Sequence, residues 1–475
     1  MLQSVQTLNL GYNYRSLVTF ENLTLSESFG QMKALKSLII NGYFFRNLAA
    51  DGIKPLFNLS NLETLHFQTN FIRDKPKDHQ SVPEQHCLLP PLREEREWSW
   101  TGASQEGTSA ENPWHWAEPK GRAEEMVRNS QSSHLNFPAG IHCNKTLDLS
   151  FNSIHSIEPA QFKGLEDIDC LNLSSNYISQ PLNGSQFLTL RSLKLLDLSH
   201  NRFDLYYGSA LQEVHHLVVL SLSNIQFHFT IKGLGHKFEF LTNLSSLKFL
   251  NLDNNQIGIR ISKHLESHSL ETLIFSRNRL DIMWMSGRNT YLEFFAKLPK
   301  LTLLDISFNK LDFIPAEVID TLPESLRNLS IAYNNLYDFP WDKTERLKSL
   351  EFLDLSNNAL EMLVTDGDFS RMNLTKLTNL TTLNLSYNKI RSLHKEFFSN
   401  VSSLHFLNLN HNKIKMIDES SFPNTLLKSL QHLDVSSNPL RCTCEAHWFL
   451  IFLKSTCITI DHFSTSMQCD LPESK

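Results

Sequence analysis

Apolar residues recur along this chain in a fixed frame: two of them flank one variable residue, and an asparagine follows three positions after the second, as in Leu383, Leu385 and Asn388. The asparagine column reads Asn13, Asn70, Asn152, Asn176, Asn201, Asn255, Asn278, Asn309, Asn334, Asn358, Asn388, Asn412 and Asn438. Two more registers keep the apolar pair without the amide: Leu38 and Ile40 before Tyr43, and Leu220 and Leu222 before Ile225. That makes fifteen registers, spaced by 23 to 31 residues from Asn152 onward. A period of this size marks a stack of similar units.

Each apolar pair predicts a short strand, because side chains alternate across a strand with period two and both apolar residues then share one face. Stacked in parallel, the strands bury their leucines in one core and turn the variable positions toward solvent as an open binding sheet. The carboxamide that follows has two donors and two acceptors, enough to satisfy the backbone where the chain turns inward. The return half of each unit carries a second apolar set, as in Phe397, Phe398 and Phe422, and many of the 32 phenylalanines are expected to form a spine there. The fold class is therefore α/β: a leucine-rich-repeat solenoid, a curved horseshoe with a parallel concave sheet. A solenoid has no single-core size limit, so 475 residues fit one repeat array. Registers of 30 or 31 residues, around 233–240, 284–295 and 365–373, carry extra loop, and such loops commonly bind.

The pattern assigns repeats to 1–72 and 143–438, an irregular, disordered inserted loop to 73–142, and a truncated cysteine-containing carboxy-terminal cap to 439–475. The insertion has length for about three units but no register, and it sets Trp98, Trp100, Trp114 and Trp116 in a polar stretch. It reads equally as a partner motif, a processed segment or a splicing product. Cys143 and Cys170 lie 27 residues apart, one repeat and hence neighbours in a stack, which makes them candidates for a bridge. Cys442, Cys444, Cys457 and Cys469 follow the last register, as expected of a disulfide-tied cap; a zinc site fits less well without a Cys-x-x-Cys pair. Met1 opens directly into a repeat strand, so a fragment or alternative start is expected. No stretch approaches the roughly 20 apolar residues of a membrane span.

Eleven Asn-x-Ser/Thr sequons favour a secretory route. The ladder frame is itself rich in Asn-Leu-Ser, so Asn172 and Asn384 are set aside, leaving Asn22, Asn58, Asn144, Asn183, Asn243, Asn328, Asn373, Asn379 and Asn400 as glycosylation candidates. No catalytic constellation appears. His264 and His268 have helical spacing, but the glutamate between them is misplaced for a His-Glu-x-x-His site, and Gly233 and Gly235 lack the rest of a phosphate loop. No enzyme activity, metal or cofactor is expected. The net charge of −6 opposes general attraction to nucleic acid, yet protonating all 20 histidines would take it to +14, so acidity moves the chain toward polyanions.

The stretch Asn176-Tyr177-Ile178-Ser179-Gln180-Pro181-Leu182, continuing to 187, together with 196–206, 235–240, 283–284 and 291–295, resembles the Toll-like receptors, specifically their endosomal nucleic-acid-sensing group. The likeness covers about 8–71 and 146–469. It implies passage through the endoplasmic reticulum to endosomes and lysosomes, a processed loop in mid-ectodomain, a Cys143–Cys170 bridge at the loop exit, and recognition of CpG-type DNA by a homodimer. It further implies that this chain is the carboxy-terminal half of such an ectodomain, supplying dimer contacts and the second protomer's contacts to DNA. By repeat position the candidates are Trp284, Arg288, Tyr291, Lys310, Tyr337 and Trp341, with convex-side packing the competing role for Trp284 and Trp341. The 73–142 segment departs from the family's loop, and Cys457 matches no family position. Two other readings stand beside this one: an extracellular leucine-rich-repeat scaffold that binds protein, and a non-signalling truncated receptor product. Acid-dependent oligonucleotide binding separates the first from the receptor reading, and cooperative melting of a monodisperse product separates the second.

Overall fold

The computed structural model describes residues 3–12, 20–70, 142–225, 235–361 and 374–441, apart from residues 44, 48–49, 69, 286, 288, 375, 395–396, 400 and 418, and pieces of the cap at 448–449, 451–452, 458–460 and 469–470. The repeats form one compact unit, Met1–Asp74 with Pro138–Lys475; the other unit, Lys75–Phe137, lies outside the described residues.

Every one of the fifteen registers forms a three-residue strand, and all join one parallel sheet that runs in sequence order from Thr7–Asn9 to His432–Asp434. The register never slips: the inward leucines Leu147, Leu171, Leu196 and Leu220 face one another across successive strands. A sixteenth strand, Thr459–Ile460, comes from the cap, and Cys469–Asp470 pairs with Leu440–Arg441 beside it. The short apolar run in the cap closes the core, with Trp448 packed on Phe452 at 5.6 Å and Phe449 buried. Cys442, Cys444 and Cys457 lie outside the described residues.

The ladder closes across the insertion. Strand Thr64–His66 pairs directly with Thr146–Asp148, and Asn70 and Asn152 continue the asparagine column with an 82-residue separation. The re-entering chain is held at several points. Cys143 and Cys170 are disulfide-bonded, the Asp169 carboxylate accepts the Asn144 and Lys145 backbone N–H groups at 3.0 and 2.8 Å, and Lys145 pairs with Asp167.

The asparagine frame works through bonds in two directions. Asn176 Nδ2 donates to the carbonyls of Leu173, Ser174 and Leu149 of the preceding register, while its Oδ1 accepts the Ile154 N–H. In one of the two registers without the amide, the Tyr43 hydroxyl donates to Leu10 O, the equivalent carbonyl. These bonds satisfy backbone groups that burial would otherwise leave unpaired. On the return side the segments are short 3-10 turns and helices of four to six residues, among them Leu280–Met283 and Ala316–Thr321. The phenylalanine spine is real: Phe275, Phe294 and Phe295 meet edge to face within 5.6 Å, and Phe397 and Phe398 do so at 4.9 Å.

Candidate nucleic-acid interface

Among the described residues, the residue before the frame position adopts the left-handed backbone conformation, with φ between 50° and 57° at Tyr12, Phe151, Ser175, His200, Asn224, Asn254, Arg277, Phe308, Tyr333, Asn357, Tyr387, His411 and Ser437. Such a conformation costs a non-glycine residue roughly 1–2 kcal/mol. It is offset because the residue's N–H makes the last rung of the sheet, as from Phe151 to Ser174 O and from Tyr333 to Ser356 O. The bend lifts the side chain out of the sheet, leaving Tyr12 71% and Phe151 62% exposed. At residue 42 this column holds a glycine, and a Cβ there would strike the Tyr12 ring at 2.3 Å.

Side chains in this column stack between registers. Arg277 lies 4.7 Å over the Phe308 ring, Phe308 stacks on Tyr333 at 4.3 Å, and Tyr387 stacks on His411 at 4.1 Å. The column has no residue-type signature, so the sequence frame did not reveal it.

The strand positions beside it are acidic. Asp148, Asp197, Asp305, Asp354 and Asp434 are buried, each accepting the N–H of the serine two residues on. Burial pushes the Asp197 and Asp305 carboxyls up and takes Asp354 to about 6, with the Asp305 charge adding to the effect on Asp354. Asp253 pairs with Arg277 at 3.1 Å. At the sheet's other edge cations pair with acids in the adjoining register: Lys36 with Glu63 at 3.2 Å, Lys194 with Asp169 at 3.4 Å, Lys248 with Glu271 at 3.0 Å, and Arg327 with Glu351 at 2.5 Å. The open sheet thus presents buried acids and neutralised cations, a poor track for phosphates. The positions just after each asparagine lie lateral to that sheet.

The expected contact residues divide accordingly. Lys310 and Tyr337 are exposed on that lateral side. Trp284, Tyr291 and Trp341 are core residues, which corrects their assignment as partner contacts. Trp284 is 1% exposed, donates its indole N–H to Tyr291 O at 3.1 Å and packs edge-on against Phe295. Trp341 lies between Phe339 and Phe397. The long register spends its extra length filling the space between return segments. Arg288 lies outside the described residues.

Among the glycosylation candidates, Asn144, Asn183, Asn243 and Asn379 are exposed, and the Asn379 amide donates to Lys348 O. Asn328 is half-buried within its strand. The side chains of Asn22 and Asn58, and residues Asn373 and Asn400 altogether, lie outside the described residues. His264 sits 3.9 Å from Glu266, which also pairs with Lys297, an ordinary surface cluster. Among the described residues no group of acidic, histidine and cysteine side chains could hold a metal, and no helix is long and apolar enough to cross a membrane.

Repeated strands, asparagine bonds and a return-side spine define a leucine-rich-repeat protein, and the leucine-rich-repeat family model matches residues 145–203 and 378–440. The chain is a homologue of the Toll-like receptors. It is 36% identical to mouse Toll-like receptor 7 over 98% of its own length, 37% identical to mouse Toll-like receptor 9 over 99%, and 37% identical to human Toll-like receptor 9 over 74%. It spans 45% of the length of each mouse relative and 34% of the human one.

Proposed function

We propose that this chain is part of the ectodomain of an innate-immune receptor that binds nucleic acid, CpG-type DNA included, and does so as a homodimer or beside a full-length receptor in endosomes and lysosomes. The observation that carries this reading is identity of 36–37% to Toll-like receptors 7 and 9 across 98–99% of the chain, on an unbroken sheet. Exposed His200 and His411 lie in the lateral column. One feature supports an acidic site of action: Asp354, its carboxyl pushed up to about 6 by burial, loses its negative charge as the pH falls through that value. Lateral contacts at Lys310 and Tyr337 belong to the same reading.

Fluorescence anisotropy with a CpG oligodeoxynucleotide and its GpC counterpart, at pH 5.5 and 7.4, tests it. Binding is expected to tighten at least tenfold at pH 5.5 and to favour CpG. Equal, weak binding at both pH values would transfer support to the protein-binding scaffold. Acid-dependent binding without base preference would leave a nucleic-acid receptor and remove the CpG assignment.

A further inference from the structure

The residues one and three positions after each frame asparagine share the lateral surface. In three earlier registers a cation at the first is followed by an acid at the second: Arg202 with Asp204, Arg279 with Asp281, and Lys310 with Asp312. For Arg279 the pair is bidentate, with contacts of 2.9 and 2.8 Å to Asp281. The last three registers carry no acid at either position. Lys389 is followed by Arg391, Lys413 by Lys415, and Pro439 by Arg441.

The backbone sets these residues side by side. Lys413 N donates to Ile390 O at 2.8 Å, and Arg441 N donates to Lys415 O at 2.9 Å, so equivalent positions are about one strand spacing apart, roughly 4.8 Å. Ile390 and Ile414 are buried between the two cations of their registers, which places both cations of each on the outer side. All five are exposed, and none pairs with a carboxylate among the described residues. Glu361, in the register before Arg391, is the last acid of the column. One buried asparagine away in each of the first two registers stands the stacked pair of Tyr387 and His411, its rings 10° from parallel.

We propose that the last three registers form a phosphate track, on which a single-stranded nucleic acid is held by Lys389, Arg391, Lys413, Lys415 and Arg441 without regard to base identity. Cations in rows beside stacked rings are the combination that single-stranded nucleic acids use, through backbone charge and sequence-tolerant stacking. An anionic membrane would also meet the charge, but interfacial binding draws on an apolar face, and exposed Met416 alone does not make one. The track rests on the nucleic-acid reading above and adds a contact region apart from Lys310 and Tyr337.

The test compares the full chain with a variant carrying Lys389→Gln, Arg391→Gln, Lys413→Gln and Lys415→Gln. The probes are a mixed-sequence single-stranded oligodeoxynucleotide, titrated from 50 to 300 mM salt at pH 5.5, and phosphatidylserine vesicles. Single-stranded binding loses about 0.7 of salt slope per phosphate contact, so the slope is expected to fall by about 3 and affinity to drop at least tenfold, equally with and without CpG. A companion variant with Lys389→Arg, Lys413→Arg and Lys415→Arg is expected to bind as the unaltered chain does, which guards against mere misfolding. Unchanged slope and affinity in the glutamine variant overturn the track while leaving the receptor reading intact. Loss of vesicle binding with oligonucleotide binding unaltered assigns the patch to lipid and also overturns it. Failure of the unaltered chain to bind oligonucleotide at either pH removes both readings together.

Discussion

Replacing Asp354 by asparagine tests whether the acidic strand positions make the repeat array favour low pH. Asp354 closes the strand Phe352–Asp354, is 1% exposed, and accepts the Ser356 N–H at 2.9 Å. Desolvation is the main reason its carboxyl sits at about 6 rather than 3.8, and the Asp305 charge adds to it. Because the folded value is raised, the native state holds this proton more tightly than the unfolded chain does. The destabilisation is therefore absent below the unfolded value, grows as pH rises between the two, and is fully present above about 6. A shift of roughly two units corresponds to on the order of 3 kcal/mol at neutral pH. Asparagine keeps the useful half of the interaction. In their own registers Asn172, Asn384 and Asn408 accept the equivalent N–H at 2.9, 3.1 and 3.0 Å. Urea unfolding of the full chain from pH 4 to 7.5, with hydrogen exchange over residues 328–388 to localise the change, is the assay. Asp354→Asn is expected to stabilise by about 3 kcal/mol at pH 7.5, with the advantage vanishing toward pH 4. An advantage that does not vary with pH would refute the electrostatic cause, and a less stable variant at pH 7.5 would refute the claim that asparagine can replace the carboxylate.

Asn176→Ala is expected to cost about 1–3 kcal/mol, read from the denaturation midpoint and from exchange at the Ile154 amide. The cost is one orphaned donor, Ile154 N–H, because the Leu149 and Leu173 carbonyls keep bonds from Asn152 and Asn201; no faster exchange at Ile154 would contradict it. Replacing both Cys143 and Cys170 by serine removes a bridge across 27 residues and is expected to cost about 3 kcal/mol. Reductant should then lower the melting temperature of the unaltered chain and leave that of the double variant unchanged.

What the sequence made legible follows from how much physical work each position does. Leu383, Leu385 and Asn388 fill the core and satisfy the carbonyls together, so the frame repeats and the strand of each of the fifteen registers could be placed. Tyr43 shows the limit of that rule, since a hydroxyl on a longer side chain reaches Leu10 O without an amide. The cap strand Thr459–Ile460 escaped notice because it follows no frame; it pairs only because the edge of His432–Asp434 is open beside it. The segment 73–142 reads as an inserted loop because it carries no register, and the strands on either side of it are immediate neighbours. The candidate site was harder to read for a related reason. Trp284 and Trp341 are candidates by repeat position, with convex-side packing the competing role, and the structure gives them that packing role against Phe295, Phe339 and Phe397. Residues that meet a partner occupy positions the frame leaves free, so no single register distinguishes them. Lys389, Arg391, Lys413 and Lys415 become conspicuous only when the registers are laid side by side and the acids that accompany Arg202, Arg279 and Lys310 fail to recur.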